Sequence, residues 1–102
     1  MNNILVSLSG MGDNLYFLVD KETYDWINMK RDCPESISDK LMLELGYDYD
    51  ELNSNIGSSP DNDRALIAAS AFETFDSIRD LMKHVKSNDI ELSDEAYEGV
   101  IY

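Results

Sequence analysis

The sequence predicts an α+β domain: a mostly antiparallel sheet of about four strands with helices packed on one face, in the order β-β-α-α-loop-β-α-β. Three observations carry that class. Residues 3–9 alternate in polarity, with Ile4, Val6 and Leu8 on one face and Leu5 on the other. Residues 15–19 (LYFLV) are apolar on both faces, as a central strand must be. Helical periodicity then appears over residues 37–45 and again over 75–85.

The first two strands are joined by Ser9-Gly10-Met11-Gly12-Asp13-Asn14, turn chemistry in which glycine accepts a positive φ. Together they read as an antiparallel hairpin. Asp20 is placed to cap a helix beginning at Lys21, with Tyr24 and Ile27 on one stripe and the cations Lys30 and Arg31 near its end. Pro34 suits the first position of a second helix, Ile37, Leu41 and Leu45 recur every four residues, and Gly46 stops it. Residues 47–63 carry Gly57, Pro60 and many Asp and Asn, with Leu52 and Ile56 as the only aliphatics; they read as a short helical turn and then a long surface loop. Residues 65–69 (ALIAA) begin a third strand running towards Phe72, with a helix continuing through Phe75 as the competing reading. Thr74 is the expected N-cap of the last helix, whose apolar stripe is Phe75, Ile78, Leu81, Met82 and Val85. Asn88 and Asp89 turn the chain, and residues 97–102 form a final strand.

Residues 1–102 read as one acidic globular domain, since a chain of this length rarely holds two cores. Hydrophobic residues make up 43%, so the acidity does not signal disorder. The chain carries 21 Asp and Glu against 8 Lys and Arg, a net of −13. That balance argues against direct nucleic-acid binding, which needs clustered cations, and against attraction to an anionic membrane. No apolar run approaches the roughly 20 residues of a bilayer span. A lone cysteine and no export signal suit a reducing cytoplasm.

The charge is unevenly spread. Residues 32–63 hold nine acids against Lys40 alone, a net of −8, and residues 89–102 hold five acids and no base, a net of −5. The remainder of the chain is neutral overall. A surface built only for solubility intersperses both signs more evenly.

Catalytic chemistry has little to work with. His84 is the sole histidine, and its place in the last turn of a helix, where a cation is favoured, explains it. Cys33 stands at a helix start, which lowers a thiol pKa, but Asp32 and Glu35 oppose that and it reads as a half-buried cap residue. Gly10-Met11-Gly12 leads into a strand, whereas a phosphate cradle opens onto a helix. Asp48, Asp50 and Glu51, like Asp61 and Asp63, lack the rest of a Ca²⁺-loop pattern. The expectation is therefore no enzyme, no catalytic residue, no metal and no cofactor.

The sharpest local feature is Tyr47-Asp48-Tyr49-Asp50-Glu51, which interleaves aromatics with acids. Tyrosine supplies rigid contact area and carboxylates pair with Arg and Lys of a partner. The competing reading is a turn with one Tyr docked on the core and solvated acids around it. The candidate partner-binding residues are Tyr47, Asp48, Tyr49, Asp50, Glu51, Asp61, Asp63, Asp94, Glu95 and Glu98. They point to an inhibitor that occupies a basic groove of a nucleic-acid-handling protein, in effect imitating a phosphate backbone. In size, charge and compartment the chain resembles small acidic inhibitors encoded by bacteriophages, such as anti-CRISPR and anti-restriction proteins, which implies the cytoplasm of a bacterial host cell; that resemblance covers no motif and assigns no residue. The same surface also suits an immunity protein neutralising a basic toxin such as a nuclease. A small enzyme or an assembly module stands behind these, and the oligomeric state is open because a terminal edge strand can pair between chains.

Overall fold

The computed structural model describes residues 3–10, 12–28, 33–48, 51 and 61–100, with the backbone alone at 61–63. Its elements are β1 (Asn3–Gly10), β2 (Asp13–Val19), α1 (Lys21–Asn28), α2 (Glu35–Glu44), α3 (Asp61–Ala69), β3 (Thr74–Phe75), α4 (Ile78–Ser87) and β4 (Leu92–Val100). The strands form one sheet in the order β3-β2-β1-β4. Pairs β1–β2 and β2–β3 are antiparallel, and β1–β4 is parallel. The α+β class with a mostly antiparallel four-stranded sheet is thus the fold.

The alternation in β1 sets the layers. Ile4, Val6 and Leu8 are buried, and register places them opposite Val19, Phe17 and Leu15. Helices α1, α2 and α3 cover this face with Trp26 and Ile27, Ile37 and Leu41, and Ala65 and Ala68, all in one apolar cluster. Phe17 stacks on Phe72 from the same side, with ring centroids 6.4 Å apart. On the opposite face, Tyr16 is level with Phe75 of β3, and the Phe75 ring meets His84 of α4 at 5.1 Å. Leu81 is fully buried yet outside the main cluster. Helix α4 therefore covers the β2–β3 end of this second face, while three helices share the first, so the helices are not confined to one face as expected: the Phe75 ring and Leu81 give α4 its own apolar seat.

Several boundaries moved for local reasons. Residues 65–69, expected as a strand, are helical. Ala65, Ala68 and Ala69 fall at i, i+3 and i+4 and are all buried, so the helical competitor wins, over a shorter span than expected. The helix starts at Asp61, inside the expected loop, and the third strand is instead Thr74–Phe75, beyond the expected run from residue 65 towards Phe72. Thr74 pairs with Phe17 instead of capping α4. The cap is Ser77, whose Oγ accepts from the Asp80 N–H at 3.1 Å. Leu45 is the C-cap of α2 and is 49% exposed, so the four-residue apolar repeat buries only Ile37 and Leu41. The final strand begins at Leu92, earlier than residue 97, because an edge strand tolerates Ser93, Asp94 and Glu95.

Other expectations held. Asp20 Oδ1 accepts from the Thr23 N–H at 2.8 Å at the start of α1. Gly46 takes φ +76° just past Leu45, the C-cap of α2. Pro34 sits one position earlier than expected, as the residue before α2, and its carbonyl accepts from Ile37 and Ser38. Lys30, Arg31, Leu52, Ile56, Gly57, Pro60 and Tyr102 lie outside the described residues.

Candidate functional site

Helices α1 and α2 begin side by side. Each N-terminus carries the positive end of its helix dipole, which favours carboxylates nearby. Asp20, Glu22, Glu35 and Asp39 gather there, and with Lys21 and Ser36 they line an open hollow of about 600 Å³.

Lys21 ties this hollow to the far end of the chain. Its Nζ donates to both carboxylate oxygens of Glu95 at 3.1 Å and pairs with Asp25 at 3.3 Å. The ammonium also lies 5.1 Å from the Tyr24 ring centre. The hydrogen bond that Lys21 donates to Glu95 is the main cause that raises the Lys21 pKa above its usual 10.5. Asp25 and Glu95 pair with this base, and Asp20, Glu22, Glu35 and Asp39 line the hollow it borders, so six carboxylates share one neighbourhood with one base, a local net charge of 1 − 6 = −5. Lys40, the single base of residues 32–63, is directed elsewhere: its Nζ donates to the Ala71 carbonyl at 3.1 Å and lies 5.2 Å from the Phe72 ring centre.

Of the residues singled out from the sequence, Glu95 belongs to this centre. Glu98 does not. Its register partner Ser7 puts it on the open sheet face, where Ser7, Ser9, Tyr16, Glu98, Gly99 and Val100 line a second hollow of about 460 Å³. Asp94 is exposed on the same strand. Tyr47 is the docked tyrosine of the competing reading, half-buried against the main core. Asp48 and Glu51 are exposed, and Asp48 Oδ1 accepts from the Glu51 N–H at 2.7 Å, so Asp48 also serves its own turn. Tyr49 and Asp50, and the side chains of Asp61 and Asp63, lie outside the described residues.

Asp20, Glu22, Asp25, Glu35 and Asp39 are not among the partner-binding residues expected from the sequence. The usable signal was acids at the starts of two successive helices. It was obscured because Asp20 and Glu22 belong to a segment that is nearly neutral overall. Also unanticipated are the solvent-facing Met42, Leu43 and Leu45 at the C-terminal end of α2, with Leu43 87% exposed.

Cys33 lies in the apolar cluster of the first face, more deeply buried than a cap residue, and burial pushes its thiol up from 9.0 to about 11. His84 rests on Phe75 on the other face, and the Asn88 side-chain amide donates to its carbonyl at 2.9 Å. The sheet separates the two, so they form no nucleophile–base pair. Among the described residues, no group of three or more His, Cys, Asp or Glu side chains is arranged to hold a metal ion. No helix among them is long and apolar enough to cross a membrane. Comparison with protein-family models, with curated proteins and with solved structures found no match for this chain.

Proposed function

We propose that this protein is a non-enzymatic inhibitor that docks its acidic face into a basic groove of a nucleic-acid-handling protein. The observation that supports this most is the meeting of acids from distant segments near Lys21: Asp20 just before α1, Glu22 and Asp25 within it, Glu35 and Asp39 from α2, and Glu95 from β4. Such a cluster steers a cationic surface towards itself and repels nucleic acid. Solvent-facing Met42, Leu43 and Leu45, further along α2, supply apolar area to hold a partner once charge has brought it close.

The test is a pull-down from bacterial lysate at low and high salt, followed by titration of the captured protein against variants. Glu35→Lys combined with Asp39→Lys weakens binding by about tenfold or more, equivalent to roughly 1.4 kcal/mol. Glu73→Lys, an exposed site in a neutral segment, leaves it nearly unchanged. A complex indifferent to salt and to the α2 reversal overturns the proposal.

A further inference from the structure

The sheet order leaves β4 at an edge, and among the described residues no strand pairs with its outer side. The hydrogen-bond phase of that edge follows from the hairpin. Gly10 and Asp13 are paired across a two-residue turn, so they exchange both their backbone bonds. Alternation then directs Leu8, Val6 and Ile4 towards β2, and Ser9, Ser7 and Leu5 towards β4. In a parallel pair, the residue opposite an inward-directed one points away. Ala96 and Glu98, opposite Leu5 and Ser7, therefore present their N–H and C=O groups outward, and both residues are exposed.

The surroundings of this edge select its occupant. Residues 89–102 contain five acids and no Lys or Arg. Two β4 edges brought together would oppose like charges, which is destabilising, so a second copy of this chain is disfavoured. Regular pairing starts after an irregularity between Asn3 and Leu5, where Ser93 Oγ accepts from the Glu95 N–H at 3.2 Å. Beyond it, a strand rich in Lys or Arg finds backbone partners at Ala96 and Glu98 and carboxylates at Glu98 and Asp94.

We propose that the outer edge of β4 receives an extended basic segment of the partner protein as a fifth strand. This rests on the reading that the partner is basic, and it adds a backbone-mediated mode of attachment to the charge attraction.

The probe is a labelled octapeptide of alternating Lys and Val, compared with the same peptide N-methylated at alternate residues. Methylation keeps the charge and removes strand donors. The unmodified peptide slows hydrogen exchange at the Ala96 and Glu98 amides. It binds about tenfold more tightly than the methylated one, and Ala96→Pro abolishes that difference by removing an outward donor without costing an internal bond. Equal binding of both peptides, with Ala96 and Glu98 unprotected, overturns strand docking and leaves the acidic-surface reading standing. Failure of both peptides to bind at low salt removes both. If Ala96→Pro fails to fold, the two peptides compared on the unaltered protein decide the matter.

Discussion

Lys21 Nζ lies 3.1 Å from each carboxylate oxygen of Glu95, a residue 74 positions along the chain. This contact joins the start of α1 to the edge strand and brings acids from three elements into one neighbourhood. Its chemistry is directly testable. Glu95→Gln lowers the Lys21 pKa towards its usual 10.5, because the strongest group holding the ammonium charged is gone. A raised folded-state pKa stabilises the fold below the unfolded value, and that contribution is lost as the pH rises through the folded value. NMR titration of the Lys21 side chain reads the shift. The melting midpoint at neutral pH changes little, since the pair is solvent-exposed.

Cys33 behaves as a core residue. With its thiol pushed up to about 11, it stays protonated and resists iodoacetamide at neutral pH, then reacts promptly once urea unfolds the chain. The folded state holds this proton more tightly than the unfolded state, so the contribution is fully present below about 9 and falls away between about 9 and 11. Chemical denaturation of Cys33→Ala across that range shows a shallower loss than the unaltered protein. Equal slopes would contradict the assignment.

The start of α4 gives a clean contrast between two neighbouring hydroxyls. Ser77→Ala lowers stability by about 1 kcal/mol, the usual cost of an N-cap. Thr74→Ala leaves the helix cap intact, because Thr74 lies in β3. Urea denaturation of both variants, together with helical circular dichroism, separates a cap effect from a strand effect.

Small residues set the approach of α3 to the core. Ala68 is fully buried, so Ala68→Leu forces extra volume between packed elements and costs about 1–3 kcal/mol. Phe17→Ala removes a buried ring stacked on Phe72 and costs about 3–5 kcal/mol. A neutral Ala68→Leu in equilibrium unfolding would mean that α3 does not bury that stripe.

Gly46 isolates a backbone effect. At φ +76° a Cβ would meet nothing within 4 Å, so the cost of Gly46→Ala is conformational alone, about 1–2 kcal/mol. Gly46→Asn restores part of it, since Asn tolerates the left-handed region better than Ala; thermal melts of the pair test this.

Local signals proved legible where a few neighbouring residues decide the outcome. Alternation in β1, the apolar run of β2, the turn between them, the Asp20 cap and the Gly46 stop were all readable, because each involves contacts within about one turn or one pairing step. The reading failed at residues 65–69, where a short apolar run fits helix or strand equally and only burial of Ala65, Ala68 and Ala69 on one stripe settles it. Leu45 failed similarly, since periodicity cannot tell where a helix leaves the core. For the candidate site, the acidic segments were visible in sequence. Their meeting at Lys21 was not, because Asp20, Glu22 and Asp25 fall in residues 1–31, which sum to only −1, while Glu35, Asp39 and Glu95 come from two separate segments.

By itself, then, the sequence determined the fold class, the hairpin, the Asp20-capped start of α1 and the confinement of the net charge to two segments, since hydrophobic period, capping and composition act locally. Only the tertiary structure decided that β4 pairs parallel to β1, that Glu95 reaches Lys21 while Glu98 faces the other side of the sheet, and that Leu43 and Leu45 stay in solvent. Those outcomes depend on which strand edge is free to pair and which face each element turns to the core, and residues far apart in the chain settle both.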